Sequence, residues 1–168
     1  GTGAFPAYLA THTDLAALIG VDVSERAIAE GRRRGYESER VRLVVGDAMA
    51  LERTTTTLHT TPDVVSMMFV LHEFEDASVG RIVASIRRVF PKARILLTEM
   101  MLRETGEARA RNNTALPEVR YVHQLSQQIV RSREAWASLF KQNTYDLERC
   151  DEHQLSNTQC LVFSPSGA

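Results

Sequence analysis

The sequence predicts an α/β fold with a doubly wound, mostly parallel sheet and an antiparallel final strand. Strand-sized apolar runs alternate with segments of helical periodicity along the chain. The runs at 64–71 and 94–101 are apolar without alternation, which is typical of strands buried on both faces of a parallel sheet. Only a short polar turn separates the last two runs, 145–150 and 159–164, and this favours an antiparallel hairpin.

Length and charge narrow the class of protein. The chain has 168 residues, of which 43% are hydrophobic, and we expect residues 1–168 to form one domain. Lys and Arg number 20 against 21 Asp and Glu, so the balance favours neither nucleic acid nor a membrane as partner. We therefore expect a small-molecule partner. The apolar runs are only strand-sized and the two cysteines are interpreted as reduced thiols, so we expect a cytoplasmic protein.

A glycine turn, Gly1-Thr2-Gly3, opens the chain and leads into an apolar helix. Taken alone, this turn is a weak signal, and a flexible start is its simpler interpretation. A short strand follows and ends at Asp22, and Ser24 caps a helix that closes near Gly35. A carboxylate at a strand end, roughly 20 residues after a glycine turn, is the arrangement that holds ribose hydroxyls. The alternative is a carboxylate that favours the start of the helix electrostatically.

The strand at 41–45 runs into Gly46 and Asp47. Glycine permits a tight turn where a ligand approaches, and the Asp47 carboxylate can accept a hydrogen bond from an exocyclic amine. The segment from Met49 to Thr61 contains four consecutive threonines and lacks an apolar pattern. We therefore predict a surface loop there.

The next strand delivers His72 and Glu73 at its carboxyl end, and a helix is predicted over 77–90. Glu99 lies near the end of the strand at 94–101. Because ligands of open α/β sheets bind at the carboxyl ends of strands, this edge is the predicted site. It would carry titratable groups from four successive strands, namely Asp22, Asp47, His72 with Glu73, and Glu99.

Beyond residue 101 the chain departs from a minimal nucleotide-binding fold, and we expect it to build the substrate pocket there. Pro117 opens a predicted helix that runs to Val130 and carries His123. A second helix, capped by Ser132, has Trp136 on its apolar face.

Several of these motifs resemble those of class I S-adenosylmethionine-dependent methyltransferases of the small-molecule type, and the resemblance covers nearly the full length. The motifs that carry it are Gly1-Thr2-Gly3, Val21-Asp22-Val23, Gly46-Asp47-Ala48, Val70-Leu71-His72-Glu73-Phe74 and the final strand from Cys160 to Phe163. It implies a Rossmann-like fold with S-adenosyl-L-methionine as cofactor. The residues it assigns to cofactor binding are Gly1, Gly3, Asp22, Val23, Asp47, Ala48, Met68 and Phe69.

Within that assignment the glycines leave room for the methionine part, Asp22 holds the ribose hydroxyls and Asp47 meets the adenine amine. Met68 and Phe69 line the cofactor. In the family, the glycine turn follows a central strand, and the given sequence has no such strand before Gly1. We therefore expect an upstream strand, an upstream helical region and, through those residues, a homodimer.

The resemblance gives His72 and Glu73 a catalytic role facing the acceptor. The stretch VLHEF is similar to a VLHDW-like motif of O-methyltransferases, in which the histidine removes a hydroxyl proton. The spacing of His72 and His123 is also similar to that in metal-dependent α-keto acid C-methyltransferases, which implies a metal such as iron or zinc. A non-catalytic, cofactor-binding partner subunit is a third hypothesis. An RNA methyltransferase is disfavoured by the neutral charge.

Overall fold

The computed structural model describes residues 1–58, 61–102, 129–152 and 158–167. The chain divides into two units, Gly1–Thr60 and Thr61–Ala168. Within the described ranges, no helix combines the length and the apolar character needed to cross a membrane.

In the first unit, helices alternate with two parallel strands. Its elements are α1 (Ala4–His12), β1 (Leu18–Asp22), α2 (Glu25–Arg33), β2 (Val41–Val45), a short 3-10 turn (Ala48–Ala50) and α3 (Leu51–Leu58). β1 and β2 pair in parallel, with Leu18 opposite Val41. The predicted cap is confirmed, because the Ser24 hydroxyl accepts a hydrogen bond from the Ala27 amide and thereby satisfies an amide that the first turn of α2 leaves unpaired.

The core of this unit forms where α2 covers the two strands. Ile28 of α2 is buried together with Val41 and Leu43 of β2. Ala10, Leu18 and Tyr36 pack around these three side chains. Burial of apolar surface therefore joins α1, α2 and both strands into one small hydrophobic cluster.

One predicted loop proves to be a helix. The segment from Leu51 to Leu58, which contains the threonine run, forms α3. Leu51 and Thr54, three positions apart, are both buried, so one face of the helix packs inward. The prediction was wrong because such packing overrides the modest helix propensity of threonine.

The second unit contains a mixed sheet. Its elements are β3 (Val64–Met68), a 3-10 turn (Leu71–Glu73), α4 (Asp76–Val89), β4 (Arg94–Leu102), β5 (Arg131–Ser132), α5 (Arg133–Lys141), β6 (Tyr145–Glu152) and β7 (Thr158–Pro165). The strand order is β3-β4-β7-β6, with β5 paired to β4. β3 and β4 are parallel, whereas β7 is antiparallel to both β4 and β6, so the predicted antiparallel final strand and hairpin are confirmed.

The strand that leads to His72 is shorter and less buried than the sequence predicts. β3 ends at Met68, and Met67 is 8% exposed whereas Val64 is 50% exposed and Met68 38% exposed. One face of this strand is therefore accessible, although its apolar run predicted burial on both faces. The periodicity of a short run cannot separate these two cases, because apolar residues also occupy accessible faces.

Aromatic packing closes the core of the second unit. Phe140 of α5 stacks on Phe163 of β7 with ring centroids 4.0 Å apart, and it meets Trp136 and Tyr145 edge to face. All four side chains are fully buried. Such ring pairs contribute about 0.5–1.5 kcal/mol beyond the burial of their area, so α5 is held firmly against the antiparallel hairpin.

Two helical glycines should respond in opposite ways to alanine. A Cβ at Gly31 would overlap the backbone carbonyl of Thr2, whereas the nearest atom to a Cβ at Gly80 would be Asn143 Nδ2 at 3.7 Å. We expect Gly31→Ala to lower the free energy of unfolding by about 1–3 kcal/mol through overpacking. Gly80→Ala should raise it by up to about 1 kcal/mol through helix propensity. Urea denaturation of both variants measures the two effects, and a stabilising Gly31→Ala would contradict the packing described for α2.

Candidate active site

In the first unit, two carboxylates lie at neighbouring strand ends. Asp22 ends β1, and Asp47 follows β2 after Gly46. The Gly46 amide donates to the Asp22 carbonyl at 2.9 Å, which joins the ends of the two strands. Asp22 Oδ1 accepts from the Ser24 amide at 2.8 Å, and Asp22 Oδ2 lies against the nitrogen of Gly1. Gly1 and Asp22 thus lie next to each other in the first unit, and their role in binding a nucleotide stays a prediction.

Gly3 and Gly46 occupy positions where a side chain would be strained or crowded. Gly3 precedes α1 with φ +87°, a left-handed conformation that favours glycine, and a Cβ there would overlap the Leu43 side chain. A Cβ at Gly46 would meet the side chains of Thr54 and Val21. A side chain would therefore be strained by the positive φ at Gly3, and at Gly46 it would displace the neighbouring side chains.

The chemistry of this edge fits a nucleoside. The Asp22 side chain is partly accessible, and Asp47 is exposed while its Oδ1 accepts from the Met49 amide at 2.8 Å. A carboxylate has about four lone-pair sites, so each group can accept further bonds from ribose hydroxyls or an exocyclic amine. Val23 and Met49 are exposed and apolar, and Ala48 is exposed beside Asp47, as the flank of an aromatic base requires.

In the second unit, a strained turn follows β3. Phe69 is not a glycine but has φ +51°, and its amide donates to the Thr98 carbonyl of β4 at 2.9 Å. A left-handed non-glycine residue costs roughly 1–2 kcal/mol, which neighbouring contacts must offset. Met68 and Phe69, the predicted cofactor contacts, are both partly exposed at this point. After Phe69 the chain enters the 3-10 turn that carries His72.

Glu99 of β4 supplies contacts that hold this turn in place. Its side chain is fully buried, and Oε1 accepts from the amides of Val70 at 2.9 Å and Leu71 at 2.7 Å. Oε2 lies 2.6 Å from His72 Nδ1. Oε1 thus accepts two backbone hydrogen bonds, and Oε2 faces a ring nitrogen that donates when it carries the proton.

His72 lies between two carboxylates. Its residue exposure is 6%, Nδ1 faces Glu99, and Nε2 lies 3.2 Å from Glu73 Oε1. Donation from Nδ1 to Glu99 leaves neutral Nε2 with the lone pair, which is the form needed to accept a proton. Once protonated, the imidazolium would be stabilised by both Glu73 and Glu99. This arrangement can act as a general base.

Not every predicted site residue can be placed. His123 lies outside the described residues, so its pairing with His72 around a metal stays a prediction. In the ranges that the structure describes, no group of three or more His, Cys, Asp or Glu side chains is arranged to hold a metal ion. Asp22 and Asp47 belong to the first unit, whereas His72, Glu73 and Glu99 belong to the second.

The sequence predicts Glu99 near the carboxyl end of its strand but gives it no role. A signal was available, because a lone carboxylate within the apolar run of β4 must find donors if it is buried. The sequence could not identify those donors as His72 Nδ1 and two amides, because that depends on the register of β3 against β4. In this register Met68 pairs with Thr98, so Glu99 stands beside the residues that follow β3.

Comparison with known proteins gives a family match. Residues 1–93 match the methyltransferase domain family. No curated protein matches the chain significantly.

Three solved structures illustrate the similarity of fold. They are CalO1, a methyltransferase in calicheamicin biosynthesis with SAH bound (20% identity, TM-score 0.75), the mitomycin 7-O-methyltransferase MmcR (19%, 0.76) and a protein described as a pericyclic reaction enzyme (14%, 0.72). Each match covers 99% of this chain but only 46%, 47% and 41% of the respective solved chain. The chain thus spans less than half the length of these structures, and their fold does not determine the reaction.

Replacing Glu99 by alanine should weaken the second unit markedly. Two amides and an imidazole N–H would lose their buried acceptor, so we expect Glu99→Ala to lower the free energy of unfolding by about 3–5 kcal/mol. Glu148→Ala is the matched control, because that carboxylate is exposed and lies 3.4 Å from Arg94; it should cost at most about 1 kcal/mol. Guanidinium denaturation measures both, and equal losses would contradict the role given to Glu99.

Proposed function

Since the chain belongs to the methyltransferase domain family, we propose that it transfers a methyl group from S-adenosyl-L-methionine to a hydroxyl group of a small-molecule acceptor. His72 acts as the general base. The observation that carries this proposal is the 2.6 Å contact between His72 Nδ1 and Glu99 Oε2, because Nε2 is the basic nitrogen when Nδ1 donates to Glu99. The similar fold of an O-methyltransferase supports the choice of oxygen as the methylated atom.

Cofactor binding is assigned to the edge formed by β1 and β2. Asp22 accepts hydrogen bonds from the ribose hydroxyls, and Asp47 accepts one from the adenine amine. Gly1 and Gly3 leave space for the methionine part, while Val23 and Ala48 flank the base. The family resemblance also assigns Met68, the last residue of β3, and Phe69 to cofactor binding. The exposed carboxylates and apolar side chains of these segments support the assignment.

The chemical step depends on the state of His72. When bound, the sulfonium cofactor supplies an electrophilic methyl group. His72 Nε2 takes the proton of the acceptor hydroxyl as the oxygen attacks, and the acceptor must therefore approach on the side of Glu73. Glu99 fixes the ring and Glu73 lies beside Nε2, so both carboxylates stabilise the positive charge that the ring gains.

Replacing His72 should separate binding from chemistry. We expect His72→Ala to lower kcat by about 10²–10⁴-fold, the usual contribution of a general base. Its affinity for S-adenosyl-L-methionine should stay within about twofold of the wild type, because Asp22 and Asp47 are unchanged. Transfer of a labelled methyl group to a panel of phenols measures kcat, and titration calorimetry measures the affinity. Undiminished transfer by His72→Ala would remove it as the base.

Asp22→Ala gives the opposite pattern and serves as the matched variant. Loss of charge-assisted hydrogen bonds to the ribose should weaken cofactor binding by about 1.5–3 kcal/mol. Asp14→Ala, which removes an exposed carboxylate of the same unit, should leave the affinity for the cofactor unchanged.

A chelator added to the transfer assay tests the metal-dependent C-methylation alternative with His72 and His123. Loss of activity with chelator, recovered on adding iron or zinc, would favour that alternative over a base.

A further inference from the structure

Arg131 is a buried cation whose contacts surround the turn that carries His72. It belongs to β5, and only 5% of its surface is exposed. Its guanidinium donates to the Phe74 carbonyl at 2.7 Å and to the Leu71 carbonyl at 3.4 Å. Arg131 Nε also donates to Asp76 Oδ1 at 2.8 Å. Three of its partners thus belong to the six residues from Leu71 to Asp76.

These partners lie on both sides of His72 in the chain. Leu71 precedes it, Phe74 follows it, and Asp76 is the first residue of α4. The carbonyl of His72 itself accepts from the Ile129 amide at 2.8 Å, two residues before Arg131. Glu99 binds the amides at the start of the turn, whereas the segment from Ile129 to Arg131 binds its carbonyls. The backbone that sets the position of the imidazole is therefore held from two sides.

The geometry requires an arginine. Its planar guanidinium carries five N–H donors, so it can reach two carbonyls and a carboxylate at once, whereas a lysine offers one compact ammonium. The guanidinium carbon also lies 4.7 Å from the ring centre of Trp136, over a fully buried indole of α5. A charge buried to this extent is costly without partners, and Asp76 with the carbonyls offsets that cost.

We propose that Arg131 is a positioning residue for His72. By binding the carbonyls of Leu71 and Phe74, it fixes residues 71–76, which we call the 71–76 turn, and thereby sets the distance and angle at which His72 Nε2 meets the acceptor. Arg131 itself touches neither cofactor nor acceptor. The proposal rests on the proposed function in that His72 is the base. It adds a residue that no motif in the sequence singles out, because an arginine before a helix cap has no distinctive spacing.

Arg131→Met, Arg131→Lys and Asp76→Asn test the proposal together. The lysine variant keeps the charge, and Asp76→Asn weakens one anchor at an exposed side chain, so these two decide the question if the methionine variant does not fold. The control is Arg87→Met, because Arg87 also lies over an aromatic ring, that of Tyr145 at 5.7 Å, and donates to the Thr144 hydroxyl and the Ser166 carbonyl. None of those partners lies in the 71–76 turn.

Two readouts are needed. In methyl transfer to a phenol, we expect Arg131→Met to lower kcat by about 10²-fold, the effect of a misplacement of about 1 Å, while KM for S-adenosyl-L-methionine stays within about twofold. Arg131→Lys and Asp76→Asn should show smaller losses in the same direction. In proton NMR, the His72 Nδ1 proton, assigned with His72→Gln, should lose its protection from exchange in the Arg131 variants and keep it in Arg87→Met.

The outcomes separate the two claims. Folded Arg131→Lys and Asp76→Asn variants with unchanged kcat and a protected His72 proton would overturn the positioning role. If the wild type transfers no methyl group, the proposed function fails, and the NMR signal alone still decides whether Arg131 positions His72. A loss of stability without any change in kcat or in the His72 signal would reduce Arg131 to a purely structural residue.

Discussion

A buried carboxylate, that of Glu99, organises the candidate active site in the second unit. It satisfies two amides at a point where the backbone leaves a strand in a left-handed conformation, and it also binds the imidazole of His72. An unpaired group at any of these positions would cost about 1–3 kcal/mol, so the three bonds depend on one another. Loss of Glu99 would therefore leave the amides of Val70 and Leu71 without their acceptor and His72 Nδ1 without its contact.

Strand register explains how a simple topology produces this arrangement. The parallel pairing of β3 with β4 places the end of the shorter strand beside Glu99, and β7 covers the other side of β4. Because β4 continues past the end of β3, its carboxylate reaches the residues that follow β3. Residues 71–76 then lie between two side chains. Glu99 accepts hydrogen bonds from backbone amides, and Arg131 donates hydrogen bonds to backbone carbonyls.

The sequence pattern predicts much of this fold, but it does not predict the side-chain contacts of Glu99 and Arg131. Apolar periodicity and caps such as Ser24 predict the helices and strands, and the short turn near residue 155 predicts the antiparallel hairpin. Two predictions were wrong, namely burial of β3 on both faces and a surface loop at the threonine run, which is helical. Both features depend on tertiary packing that local sequence does not encode. The partners of Glu99, and those of Arg131 among residues 71–76, lie 27 to 60 positions away along the chain, and no local spacing identifies them.

We infer that Glu99 keeps the His72 proton on Nδ1 and leaves Nε2 basic. Nitrogen-15 NMR of ring-labelled protein measures the tautomer directly and requires no acceptor. We expect a protonated Nδ1 and an unprotonated Nε2 for His72, with the preference reversed or lost in Glu99→Gln. A wild-type His72 that carries its proton on Nε2 would contradict it.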